Sequence, residues 1–231
     1  MNSKIKTHGT DTVNEKCFIF TGGKEFYPEY VSKSDSPDKN SFIIAADSGC
    51  KNLLSFNKEL CPNIILGDMD SENKEKAVKM FPSASFSFCA PEKDDTDTMI
   101  AVNCAINHGF CDIRILGGLG GRLDHTLSNI FMLQHIRENN AFAVITNGKN
   151  RIYIPDKNKS VFYKPDFSYK YISVIPIDEK LSGVTMTGFK YPLCNAVIYR
   201  KNAITISNEL SQENAVISVD FGNFFIVESQ D

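Results

Sequence analysis

The chain lacks long apolar runs, paired cysteines and any excess of basic charge. Each absence removes a class of function. No run approaches the roughly 20 apolar residues of a membrane-spanning helix, so no membrane role is expected. The polar beginning, Met1 to Lys16, has no hydrophobic core of a secretory signal. A net charge of −3 supplies no general cationic field for nucleic acid, and neither a helix-turn-helix nor a basic helix is evident. The seven cysteines are odd in number and never spaced Cys-x-x-Cys. They read as small core residues in a reducing compartment, not as a disulfide framework. Together these features predict a cytoplasmic protein. Internal repeats and low-complexity tracts are also missing.

What the chain does have is alternation. At 231 residues there is room for one large domain or two small ones, and 42% hydrophobic with 23% charged residues is ordinary for a globular protein. Residues 1–15 read as a loose polar arm, and residues 32–40, rich in Ser, Lys, Asp, Pro and Asn, as a surface loop. Short runs at Cys17–Phe20, Phe42–Ala46, Asn63–Leu66, Ser85–Cys89, Ile113–Leu116 and Phe142–Thr146 predict strands. Helices are expected through Leu53 and Leu54, through the Lys/Glu-rich stretch to Met80, through Met99, Val102 and Ile106, and on to about Asn139. The last places Leu123, Leu127, Ile130 and Phe131 on one face. These strands are mostly continuously apolar, the pattern of a largely parallel sheet covered on both faces.

From about Arg151 the pattern changes. Ile152–Ile154, Val161–Tyr163, Tyr171–Ile177, Val184–Phe189, Ala196–Tyr199, Ile204–Ile206, Ala215–Val219 and Phe224–Val227 are short and β-branched or aromatic. Turn residues such as Pro165-Asp166, Lys201-Asn202 and Gly222-Asn223 separate them. The expected architecture is α/β: a mostly parallel, Rossmann-like domain over residues 1–148, then an all-β sandwich domain over 149–231.

Chemistry concentrates after the strands of the first part. Ile115-Leu116-Gly117-Gly118-Leu119-Gly120-Gly121-Arg122-Leu123-Asp124-His125 is a strand, a glycine turn and a helix start. That layout points free backbone N–H groups at an anion. Arg122 adds a planar fork suited to phosphate, and Asp124 and His125 add titratable groups. The turn is neither a P-loop, which ends in Gly-Lys-Ser/Thr, nor a strict dinucleotide fingerprint. Three acidic clusters also follow strands: Asp47, then Asp68 with Asp70, then Asp94, Asp95 and Asp97. Singly, each aspartate is explained as a strand end or a helix cap. Together they belong to the edge where open parallel sheets bind ligands, outside the carboxyl ends of the strands. Carboxylates and a phosphate-type turn coexist there when a divalent cation sits between them. Mg²⁺ is commonly held by one or two carboxylates plus substrate phosphates, and Asp68 with Asp70 suits that role. Lys93 reads equally as a solvated charge or a phosphate contact, and His125 is not assigned as a general base.

Taken in order, these segments resemble the thiamine pyrophosphokinase family, which moves a diphosphate from ATP to thiamine and releases AMP. The matching segments are Ala46-Asp47-Ser48-Gly49, Gly67-Asp68-Met69-Asp70-Ser71, Lys93–Asp97, Gly117-Gly118 through Gly121–His125, Ser182-Gly183 through Gly188–Leu193, and Ile206–Glu209. The resemblance implies an α/β nucleotide domain followed by a β-sandwich domain, in a homodimer with active sites at the interface. It implies Mg²⁺ on Asp68, Asp70 and Asp97, with Asp47 near the metal and the reacting phosphates. Lys93, Asp94, Gly118, Arg122 and Asp124 would belong to the nucleotide and phosphate site. Tyr191 would lie against thiamine, and Ser207 and Asn208 would form a polar turn near the substrates. Catalysis would fall to Asp47, Asp70, Asp97 and Arg122. Some members carry tryptophan at the position of Tyr191. This chain has none, and tyrosine stacks with less area and weaker cation–π attraction.

The implied reaction is in-line attack of thiamine's hydroxyl oxygen on the β-phosphorus of ATP, driven by positioning and charge stabilisation. Asp70 or Asp97 could take the hydroxyl proton, and the sequence does not choose between them. Two other readings stay open on the residues alone. One is another Mg²⁺-dependent, ATP-using kinase of a small alcohol, indifferent to Tyr191, Ser207 and Asn208. The other is a non-catalytic sensor of nucleotide or thiamine diphosphate.

Overall fold

Strands β1 (Lys16–Phe20), β2 (Phe42–Ala46), β3 (Ile64–Gly67), β4 (Ser85–Phe88), β5 (Asp112–Leu116) and β6 (Phe142–Thr146) pair in parallel, in the order β4-β3-β2-β1-β5-β6. The computed structural model describes residues 16–67, 71–88, 95–156, 160–163 and 168–231. The amino-terminal arm, Asp68, Asp70, Cys89, Lys93, Asp94 and the Pro165-Asp166 turn lie outside them.

The central strands are apolar at successive positions because both faces are covered. Helices α1 (Gly49–Phe56) and α2 (Ser71–Met80) cover one face, where Phe18, Phe20, Ile43 and Ala45 meet Leu53 and Ala77. Helices α3 (Asp97–Asn107) and α4 (Leu123–Glu138) cover the other, where Cys17, Ile19 and Ile44 meet Ala101, Val102 and Ile136. Each large side chain buried this way contributes about 1.5–3 kcal/mol, so alternate residues of one strand stabilise two separate cores. The chain leaves β1 for β2, β3 and β4 on one side, then crosses by α3 to β5 and β6 on the other. The order therefore reverses between β1 and β5, which opens a crevice at their carboxyl ends.

The large sheet continues past residue 149. Strand β7 (Asn150–Tyr153) pairs antiparallel with β6, and the sheet then takes up β13 (Phe224–Ser229) and β9 (Tyr171–Pro176). A separate antiparallel sheet contains β8 (Val161–Tyr163), β10 (Lys180–Thr187), β11 (Leu193–Tyr199) and β12 (Ala215–Ser218), in the order β11-β10-β12-β8. One core is filled from both sheets, with Ile172, Val174 and Ile226 packed in a cluster with Leu181, Met186 and Ile217. Among the described residues, no helix is long and apolar enough to cross a membrane.

Three local features differ from what composition suggests. Ile204–Ile206 is a turn, not a strand, with Ile204 and Ile206 exposed. The segment is pinned by buried Thr205, whose hydroxyl donates to the carbonyl of Val174 at 2.6 Å, so its β-branched residues answer to one anchor and not to a ladder. On α4, Leu123, Leu127 and Phe131 face outward, 69%, 44% and 56% exposed, while Met132, Leu133 and Ile136 face the sheet. The polar stretch 32–40 is not all surface. Asp35, in a 3₁₀ turn (Lys33–Asp35), is fully buried between Arg114 of β5 and Arg151 of β7.

Candidate active site

The crevice between β1 and β5 is built from two glycine loops. Thr21 prolongs the pairing of the two strands, its N–H reaching the carbonyl of Leu116 at 2.9 Å. Gly117 then turns with φ of +81°, a conformation L side chains rarely adopt. A Cβ on Gly117 would also stand 2.8 Å from the Asn52 amide nitrogen. Side chains from α4 hold the rest of the turn. Asn129 donates to the Gly118 carbonyl at 2.8 Å, and the Thr126 hydroxyl bonds both the N–H and the carbonyl of Gly120 at 3.2 Å. From α1, Asn52 donates to the carbonyls of Thr21 and Gly23 at 2.7 and 2.9 Å.

Around these loops lies a cleft of about 620 Å³. Its walls are Thr21–Lys24 after β1, Ala46–Ser48 after β2, Asp95–Thr98 at the start of α3, the turn from Gly117 to Arg122, and His125, Thr126 and Asn129 of α4. Asp47 stands at the end of β2 with φ of +50°, the left-handed region that Asp and Asn tolerate best among non-glycine residues. Its N–H donates to the Leu66 carbonyl at 2.7 Å, so pairing with β3 fixes the direction of its carboxylate. Asp97 opens α3, behind a Thr96 cap whose hydroxyl accepts the Met99 N–H at 3.2 Å. Arg122 places its Nε and a terminal nitrogen on the Asp124 carboxylate, at 3.1 and 2.6 Å. That bond holds the guanidinium above its ordinary pKa and the carboxyl below its own, though both are exposed to screening solvent.

Of the residues singled out from sequence, Asp47, Asp97, Gly118 and Arg122 share this cleft, and Asp124 joins it through Arg122. Asp68, Asp70, Lys93 and Asp94 lie outside the described residues, although β3 ends at Gly67, directly before Asp68. Among the described residues no group of three or more metal-type ligands forms. Tyr191, Ser207 and Asn208 do not line the cleft. They come together beside β9 of the large sheet instead. The Tyr191 N–H donates to the Asn208 side chain at 3.0 Å, and the Asn208 amide donates back to the Tyr191 carbonyl at 2.8 Å. Ser207, with φ of +56°, donates its N–H to Ser173 Oγ at 2.9 Å. Asn208 is buried, while the Tyr191 ring is 57% exposed beneath Lys190 Nζ, 5.5 Å from its centroid. The Asn208 side chain thus fixes the main chain of Tyr191 while leaving the residue largely exposed. Sequence reasoning overlooked Thr21–Lys24, Ser48, Thr126 and Asn129 as wall residues. For the first of these a signal existed, because Gly22-Gly23 is a second glycine pair directly after a strand.

Models of the thiamin pyrophosphokinase catalytic domain and of its vitamin B1 binding domain match residues 35–146 and 149–224. A thiamine pyrophosphokinase of Bacillus subtilis (strain 168) is 32% identical over 216 residues, 92% of this chain and 98% of that one. This chain belongs to the thiamine pyrophosphokinase family. Crystal structures of thiamine pyrophosphokinases agree with its fold. The one from Bacillus subtilis superposes with a TM-score of 0.81 at 27% identity, covering 94% of this chain and 100% of that one. The one from Geobacillus thermodenitrificans gives 0.77 at 29% identity, covering 94% and 98%. Within the family framework, the cleft lies in the catalytic-domain segment except for its Thr21–Lys24 wall, and the Tyr191 platform in the vitamin B1 segment.

Proposed function

We propose that this chain transfers the diphosphate of ATP to the hydroxyl of thiamine, releasing AMP. The observation that carries the reading is the cleft at the reversal of strand order. There two carboxylates, Asp47 and Asp97, meet a glycine turn and Arg122 in a member of this family. The donor set suits a hard divalent cation, since Asp47 and Asp97 bring carboxylates to a cleft that also offers phosphate donors. Asp68, Asp70 and Asp97 would hold Mg²⁺, which would offset phosphate charge as the bond breaks.

The residues of the chain do the positioning. Arg122 exchanges Asp124 for phosphate oxygens, a bidentate partner of the same geometry. The N–H groups of the glycine turn steady the remaining oxygens. Asp70 or Asp97 accepts the hydroxyl proton. Tyr191 lies against thiamine, with Ser207 and Asn208 beside it. The division into an α/β nucleotide domain, residues 1–148, and a β-sandwich domain, 149–231, belongs to this reading, with one substrate on each.

Tyr191, Ser207 and Asn208 do not line the cleft of their own chain, so the reading is completed by a second copy. The supporting feature is the outer stripe of α4, Leu123, Leu127 and Phe131, which begins one residue after the cleft-lining Arg122. A helix apolar on its outer as well as its inner face is one that an assembly covers. Phe131→Glu should convert a dimer to a monomer in sedimentation, raise the KM for thiamine sharply and leave ATP binding in place. A variant that stays dimeric, or a wild-type protein fully active as a monomer, refutes this part.

The deciding assay mixes the protein with ATP, Mg²⁺ and thiamine and separates the products. Thiamine diphosphate with equal AMP is the expected result. ADP with thiamine monophosphate would refute the reaction class, and binding without product would leave a sensor.

A further inference from the structure

The loop Thr21–Lys24 precedes residue 35, outside the segment matched by the catalytic-domain model, yet it forms one wall of the cleft. Topology puts it there. The chain leaves β1 toward β2 and leaves β5 toward β6, in opposite directions, so an anion in the crevice is flanked by the loops after both strands. The two loops are in contact. A Cβ on Gly23 would stand 2.0 Å from the Gly117 carbonyl oxygen. Glu25 accepts the N–H of Gly121 at 3.3 Å, and its carboxylate would meet a Cβ on Gly120 at 2.6 Å. Asn52 takes up the carbonyls of Thr21 and Gly23 from the α1 side. The charged residue the loop adds to the cleft lining is Lys24. Charge balance gives it a task. Asp47, Asp95 and Asp97 are acidic, and Arg122 is engaged by Asp124, while Lys24 makes no ion pair among the described residues.

We infer that Thr21–Glu25 is a second phosphate loop, with Lys24 contacting the polyphosphate of the nucleotide and Glu25 holding Gly120 and Gly121 in register. The identity of the nucleotide rests on the proposed function. The loop itself is tested by polyanion binding.

The test uses the whole protein, with ATP and inorganic tripolyphosphate as probes in titration calorimetry. Lys24→Ala should weaken both by about 10-fold or more, the size of a lost charge-assisted hydrogen bond. Lys24→Arg should recover most of that loss, and the KM for ATP should rise more than kcat falls. Lys24 is exposed, so neither variant should alter the melting temperature. Equal affinities for wild type and Lys24→Ala, or no recovery in Lys24→Arg, would overturn the inference. A wild-type protein that binds tripolyphosphate through Lys24 but makes no thiamine diphosphate would keep the loop and sink the proposed function. Normal product formation by Lys24→Ala at limiting ATP would do the reverse.

Discussion

Replacing Asp97 by asparagine should lower turnover by about 100-fold or more while leaving the fold in place, the scale seen when one preorganised electrostatic group is removed. The size follows from where the carboxylate stands. Asp97, at the first position of α3, lines the cleft, as do Asp47 after β2 and Asp95 before the helix. Asparagine keeps its shape and deletes its charge. The structural cost is small. An acidic residue in a first helical turn contributes about 0.3–1 kcal/mol through the helix dipole, and the Thr96 cap stays in place. Against this, a rate loss of 100-fold corresponds to about 2.7 kcal/mol, so chemistry and not stability should dominate the phenotype. The measurement is kcat against Mg²⁺ at saturating ATP and thiamine, where the variant should require more metal. Asp95→Asn, an exposed neighbour outside the proposed metal set, is the control and should keep most activity. An Asp97→Asn protein turning over normally at limiting Mg²⁺ would remove Asp97 from that set.

That prediction was reachable from sequence because its physics is local. Asp97 starts the helix that follows β4, and a parallel sheet sends every such segment to one edge. Asp47, Gly118 and Arg122 were legible for the same reason. Lys24 was not, because its role depends on β1 lying beside β5, and a strand's neighbours are not written in its own residues. The stripe of α4 shows a different limit. Helical periodicity puts Leu123, Leu127, Ile130 and Phe131 on one face, but Ile130 packs against the core while the other three face outward, and the helix has a second apolar set, Met132, Leu133 and Ile136. Periodicity alone does not say which faces the sheet. The polar loop at 32–40 concealed a fully buried carboxylate, since Asp35 is surrounded by groups that come from residues 114 and 151. Ile204–Ile206 misled in the opposite direction, because β-branched residues also occur where one hydroxyl anchors a turn. The platform under Tyr191 falls between these cases. Its residues were legible from family motifs, while the bonds from the Asn208 side chain to the Tyr191 main chain across a gap of 17 residues required the fold.

Arg151→Met should be the most destabilising substitution in the network around Asp35, costing about 3–5 kcal/mol. For a chain of this size that corresponds to a fall in Tm of roughly 6–20 °C. Asp35 accepts from Arg114 Nε and Arg151 Nε, both at 2.7 Å, and Ser32 donates to it at 2.9 Å. Arg114 also pairs with Asp112, and Arg151 with Glu228 at 2.6 Å. Three carboxylates thus share two guanidinium groups. Burial alone would depress the pKa of Arg151, but Glu228 and Asp35 outweigh it and hold the cation firmly charged. With methionine there, Glu228, 1% exposed, keeps only the Tyr153 hydroxyl at 2.9 Å among the partners described here. A buried charge without its counter-ion is the costly case. Asp35→Asn should hurt less, because each arginine retains a carboxylate of its own and the volume is kept. Thermal unfolding followed by circular dichroism ranks the two. The network joins β5, which leads into the glycine turn, to β7 and β13 of the antiparallel extension, so Arg151→Met should also raise the KM for ATP at temperatures where it remains folded. If Asp35→Asn proves the more damaging, the bridge between two guanidinium groups, and not the counter-charge for Glu228, is what fixes the end of β5 against the rest of the sheet.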